Sequence, residues 1–68
     1  MKEFVTIGSL NMRKGASTDD AIIQAIPSNK KVKWTGYSFY NTSGKEWKLV
    51  EYNGVLGFCS AAYLKEVK

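Results

Sequence analysis

Few groups in this chain could make or break a covalent bond, and none sits in company that would activate it. The 68 residues include no histidine, so no Ser-His or Cys-His nucleophile pair and no His-based zinc site can form. The single cysteine, Cys59, excludes an internal disulfide and a Cys-rich metal site. It falls in an apolar run and reads as a buried thiol. Asp19-Asp20 are adjacent carboxylates in a turn-rich stretch, where solvated loop charge is the simpler reading than paired acid-base work. No cofactor or metal is implied, and catalysis by this chain alone is not expected.

What remains is the chemistry of binding: aromatic faces and hydrogen-bond donors held by short strands. The stretch from Trp47 to Cys59 organises them. Two β-rich runs flank Asn53-Gly54, a dipeptide suited to a two-residue type I′ turn because both positions need φ > 0. A turn of that length sets Tyr52 opposite Val55, Val50 opposite Gly57, Leu49 opposite Phe58 and Lys48 opposite Cys59, each pair on one face. One face then carries the compact Val50, Val55 and Cys59, with Tyr52 at its edge. The other carries Trp47, Leu49 and Phe58, bulky groups that so small a domain is not expected to enclose fully.

The rest of the chain supplies strands around this hairpin. Glu3 to Ile7 is a β-branched and aromatic run, broken by Gly8-Ser9. Leu10-Asn11-Met12-Arg13 alternates, with Leu10 and Met12 inward and Asn11 and Arg13 outward. Lys14 to Asp20 has turn chemistry. Ile22-Ile23 favours a following strand, against a competing helix from a Ser17 or Thr18 cap that Pro27 would cut short. After the turn Pro27 to Lys30, Lys31 to Gly36 alternates with Val32 and Trp34 on one side. Tyr37 to Gly44 reads as a second long loop, its aromatics either folded over the barrel or extending a binding surface. Ser60 to Tyr63 reads as one tight helical turn before a closing strand, Leu64 to Val67. The expectation is an all-β fold, a small barrel of five to six short strands with one short 3-10 turn before the last.

Composition agrees: 44% hydrophobic and 24% charged residues belong to one folded domain. Ten Lys and Arg against six Asp and Glu give a net charge of +4, which admits anionic partners, although only Lys30-Lys31-Val32-Lys33 clusters. No apolar run is long enough for a signal peptide or membrane span. The chain is therefore expected to be either intracellular or a module of a larger exported protein, without a membrane partner.

At this point the motifs become recognisable. Leu10-Asn11-Met12-Arg13-Lys14-Gly15-Ala16-Ser17-Thr18, then Glu46-Trp47, Tyr52-Asn53-Gly54 and Gly57-Phe58-Cys59-Ser60-Ala61-Ala62-Tyr63-Leu64, closely resemble the bacterial SH3 (SH3b) family over nearly the whole chain. Ala16 replaces the usual Pro, Glu46 a Gly, Cys59 a Val, and Asn29 stands in a turn that often holds Gly. The resemblance implies an SH3-like barrel bordered by a groove. It also implies a cell-wall context, as in N-acetylmuramoyl-L-alanine amidases, endopeptidases and phage lysins, where such modules hold the enzyme on peptidoglycan. Trp47 and Tyr63 match groove aromatics, and Ser60 matches the groove proline of eukaryotic members, whose loss weakens the case for proline-rich ligands.

The binding reading therefore names Trp47, Phe58, Tyr63 and Tyr40 as aromatic walls, and Asn11 and Arg13 as donors to peptide carbonyls or carboxylates. Trp47 could instead cap the barrel, and Arg13 could simply be solvated. The expected ligand is a peptidoglycan stem peptide or cross-bridge, with anionic wall polymers as a charge-driven addition, bound by a monomer outside the cell or in its wall. An SH3-type adaptor binding a protein segment is the alternative. A single-stranded nucleic-acid binder ranks last, because the positive charge is scattered.

Overall fold

Asn53 and Gly54 turn the chain with φ of 54° and 75°, and the hairpin they make has the register the sequence dictates. In the computed structural model, which describes residues 1–67, β5 (Glu46–Tyr52) and β6 (Val55–Ser60) pair with Tyr52 opposite Val55, Val50 opposite Gly57, Leu49 opposite Phe58 and Lys48 opposite Cys59. Around them lie β1 (Lys2–Thr6), β2 (Leu10–Arg13), β3 (Ile22–Ile26), β4 (Lys31–Tyr40), a 3-10 turn (Ala61–Tyr63) and β7 (Leu64–Glu66). The strands form one sheet in the order β3-β2-β6-β5-β4-β1-β7, with every recorded pairing antiparallel. This is the expected all-β, SH3-like architecture. Its strands number seven rather than five or six, the three-residue β7 pairing with β1 at the edge of the sheet.

The sheet coils around Phe4, Leu10, Met12, Ile26, Val32, Val50 and Cys59, with Ile23, Trp34, Tyr52 and Leu64 packed against them. Two side chains tie its turns. Thr6, buried on β1, donates from Oγ1 to the Pro27 carbonyl (2.7 Å) and accepts from the Lys30 amide (2.9 Å). That clamp holds the β3–β4 turn, where Asn29 adopts a φ of 66° that Asn tolerates better than most residues. Gln24 on β3 donates to the Tyr52 carbonyl (3.2 Å) beside the hairpin tip. Gly57 is a glycine of necessity, since a Cβ there would run into the Met12 side chain.

Three expectations are corrected. Residues 37–40 are strand, not loop: β4 continues through a bulge between Trp34 and Ser38. Gly36 takes a φ of 99° there, and the Thr35 hydroxyl donates to Leu49 O and accepts from Tyr37 N. Val55 does not pack inside. It is 38% exposed, because the hairpin tip extends past the core. Trp47 is enclosed after all, at 5% exposure, although it lies on the face away from Val50 and Cys59 and outside the core cluster.

Candidate functional site

Trp47 is buried yet outside the core cluster, and a space lined partly by loops opens beside it. The first is the β2–β3 connection, residues 14–21. Its base is closed by the Lys14 amide donating to Ala21 O (2.9 Å), and within it the Asp20 amide donates to Ser17 O (3.2 Å). Ser17 Oγ donates to Asp20 Oδ2 (3.0 Å) and accepts from the Asp19 amide (3.1 Å), the local side-chain to backbone bonding that makes Ser and Asp turn formers. Arg13 Nη1 donates to both Thr18 O (3.0 Å) and Asp20 O (2.9 Å), holding the loop upright at the end of β2.

The second loop, residues 41–45, is arranged by one side chain. Asn41 Oδ1 accepts from the Ser43 and Lys45 amides (both 3.0 Å), and the Asn41 amide donates to Lys45 O (3.0 Å). Gly44, at a φ of 78°, closes the turn through its amide on Asn41 O (2.8 Å). Asn41 Nδ2 then reaches across to Ala16 O (3.3 Å), so the two loops are joined. The third wall is the 3-10 turn, fixed by the Ile7 amide donating to Tyr63 O (3.0 Å).

Between these walls lies a cleft of about 620 Å³, lined by Trp47, Leu10 and Tyr63 and by a rim of hydroxyls and amides from Asn11, Ser60 and the two loops. That volume is in the range that takes a small molecule or a short peptide. Tyr63 is 51% exposed, so one ring face is open to a ligand. Three charged side chains, Arg13, Asp19 and Lys45, also line the cleft.

Of the seven residues named from the sequence, Trp47, Tyr63, Asn11, Arg13 and Ser60 come together at this cleft. Phe58 and Tyr40 do not line it. Phe58 lies on the outer face of the hairpin, opposite Leu49 and Arg13, with its ring edge-on to Tyr37 at 6.3 Å. Tyr40 is 65% exposed at the end of β4, opposite Glu46. Part of Arg13's donor capacity is spent inside the protein, on the carbonyls of residues 18 and 20.

Sequence reasoning missed Asn41, Lys45 and Asp19 as cleft residues. The first had a signal: an Asn three residues before a Gly is an Asx-turn pattern. It also missed Lys48, whose ammonium stands 4.0 Å from the centre of the Trp34 ring and 5.2 Å from that of Phe4, and pairs with Glu46 at 2.8 Å. That hydrogen bond holds the Glu46 carboxyl below its ordinary value. Burial pushes the Cys59 thiol up to about 12, so at neutral pH it is protonated and no nucleophile. Among the described residues, no group of three or more His, Cys, Asp or Glu is gathered as a metal would require.

The family described as bacterial SH3 domain matches residues 8–65. No curated protein and no solved structure matches the chain.

Proposed function

Because this chain belongs to the bacterial SH3 domain family, a family of binding modules, we propose that its cleft holds a peptide of the bacterial cell wall. The ligand is the stem peptide or cross-bridge of peptidoglycan. The role of the domain is to keep a linked hydrolase, an N-acetylmuramoyl-L-alanine amidase in the first instance, on its polymeric substrate outside the cell.

One observation carries this reading: an aromatic base and an open aromatic wall, Trp47 and Tyr63, stand among amide and hydroxyl groups from three separate segments. A slender polar chain has carbonyls and amides to satisfy along its length, and a shallow cleft rich in Asn, Ser and Thr can satisfy them while the rings cover its apolar atoms. Ser60 in the groove gives no proline ridge, in keeping with a ligand that is not proline-rich. The domain acts as a monomer. Anionic wall polymers add to retention only through the +4 charge.

The adaptor reading keeps one specific observation in its favour. Tyr37, Leu56 and the half-buried Leu49 and Phe58, none of which lines the cleft, leave an apolar strip on the outer face of the hairpin.

Sedimentation of the purified chain with intact sacculi, with and without teichoic acids and at low and high salt, tests the proposal. Retention on bare sacculi at high salt, lost in Tyr63→Ala, is the expected result. Retention only with teichoic acids at low salt would assign the binding to net charge. No retention would turn attention to the outer strip. Tyr63→Ala is a cleaner probe than Trp47→Ala, because Trp47 is enclosed and Tyr63 is not.

A further inference from the structure

The geometry points to Arg13 as the receptor for a free carboxylate, so that the cleft takes a stem peptide by its unjoined C-terminal end. This rests on the peptide reading above and makes it more specific. A stem held in the wall has its amine acylated, and it keeps a terminal carboxylate wherever that carboxyl has not been joined to a neighbour.

Arg13 is the only arginine of the chain, and its half-buried guanidinium lines the cleft. It is held in place by Nη1, which donates to Thr18 O (3.0 Å) and Asp20 O (2.9 Å). A guanidinium carries five N–H donors in a planar fork. Nε and Nη2, which share the edge opposite Nη1, have no hydrogen-bond partner among the described residues. That edge offers the two parallel donors that a carboxylate accepts in bidentate fashion. Bonding to neutral carbonyls fixes the plane without neutralising it, and no carboxylate among the described residues lies within ion-pair distance of Arg13. A group oriented before the ligand arrives loses little side-chain entropy on binding.

The groups around it favour the same ligand. Arg13 and Lys45 line the cleft against one acid, Asp19. Asp20, whose carbonyl accepts from Arg13, has its carboxylate turned onto Ser17 Oγ. The Trp47 indole N–H, unlike that of Trp34, finds no acceptor among the described residues. No polar side-chain atom among them is buried without a partner, so this donor is not sealed from a ligand. The unspent groups are thus weighted to donors and to positive charge, and a carboxylate answers both. A cross-linked stem end presents a neutral amide with a single acceptor oxygen. The module therefore settles where stems are unjoined and loosens as cross-linking consumes their carboxyl ends.

Synthetic stem peptides capped with an N-lactoyl group, as in the wall, are compared with their C-terminal amides. Affinities come from titrations of the isotope-labelled chain followed by nuclear magnetic resonance, at high salt to screen the net charge. A single arginine gives a single side-chain Nε–H signal, so the receptor itself is observed. The acid is expected to bind roughly five- to tenfold more tightly than the amide. It should also shift the Arg13 Nε–H signal, which the amide leaves near its free position. The preference should persist in Lys45→Gln, which removes the other positive group of the cleft, and in Lys31→Gln, which removes one outside it.

Equal affinity for acid and amide overturns the assignment and leaves the peptide reading standing. A preference for the acid with an unmoved Arg13 signal overturns it too. So does a preference that vanishes in Lys45→Gln or in Lys31→Gln, which would move the carboxylate to that lysine or to net charge. If neither peptide binds, the assignment falls, and the sacculus sedimentation above then shows whether the peptide reading falls with it.

Discussion

The two tryptophans of this domain are buried by different means. Trp34 stands at the border of the core, edge-on to Phe4 at 5.8 Å, covered by the Lys48 ammonium, with its indole N–H donating to Tyr37 O at 2.9 Å. Its edge, one face and its donor all have partners within the protein. Trp47 is the less exposed of the two, yet it is absent from the core cluster, and part of its surroundings is open cleft. Burial therefore does not separate a core-border residue from a cleft-lining residue here. What separates them is whether the ring packs on the core cluster or borders open cleft.

The largest expected effect breaks the comparison at Trp34. Trp34→Ala should lower unfolding stability by about 3 kcal/mol, a large share of the total for so small a domain, while any folded fraction keeps its affinity for wall peptides. Trp47→Phe should do the opposite, retaining most of the denaturation midpoint and losing retention on sacculi. Chemical denaturation and sedimentation on both variants decide it. Equal stability losses with unchanged binding would make Trp47 one more core residue.

A smaller effect is expected at Asn41, which organises one wall of the cleft. Asn41→Ala removes its side-chain bonds to Ser43 N, Lys45 N and Ala16 O and should cost about 1–2 kcal/mol. Faster amide exchange should be confined to residues 43–45 and their neighbours across the cleft. Exchange that spreads to β5 and β6 would mean that the loops and the strands are one cooperative unit.

The smallest effect concerns the cover on Trp34. Glu46 titrates below its ordinary value because Lys48 donates to it, so its contribution is present above the unfolded value of about 4.5 and is lost as pH falls through the lowered folded value. The denaturation midpoint should decline on acidification through that range, and Lys48→Met should flatten the decline. An unchanged acid profile in Lys48→Met would show that the pair contributes nothing measurable.

The fold was legible because its signals are local. Asn53-Gly54 set the hairpin register, and the alternation at Leu10-Asn11-Met12-Arg13 set a buried face, with Leu10 and Met12 inside. The extension of β4 was not legible. Gly36 looks like a strand terminator in sequence, whereas in the structure its positive φ belongs to a bulge that realigns Ser38 with Lys48. The cleft beside Trp47 was hidden for a related reason. Residues 14–21 and 41–45 are far apart in the chain, and a single Asn side chain joins them. Five of the seven residues named from sequence line the cleft: Asn11, Arg13, Trp47 and Ser60 on strands and Tyr63 on the 3-10 turn. Lys45 and Asp19 arrive there on loops, whose paths periodicity does not report.

The first and last strands are neighbours: Phe4 lies opposite Glu66 and Thr6 opposite Leu64, and the Val67 amide donates to Glu3 O at 3.0 Å. Polypeptide joined before residue 2 or after residue 67 would thus depart from the same edge of the sheet. Insertion of the whole unit into a host loop would need only a narrow gap to bridge. Circular permutation, with new ends opened at the exposed Asn53-Gly54 tip, would need only a short splice.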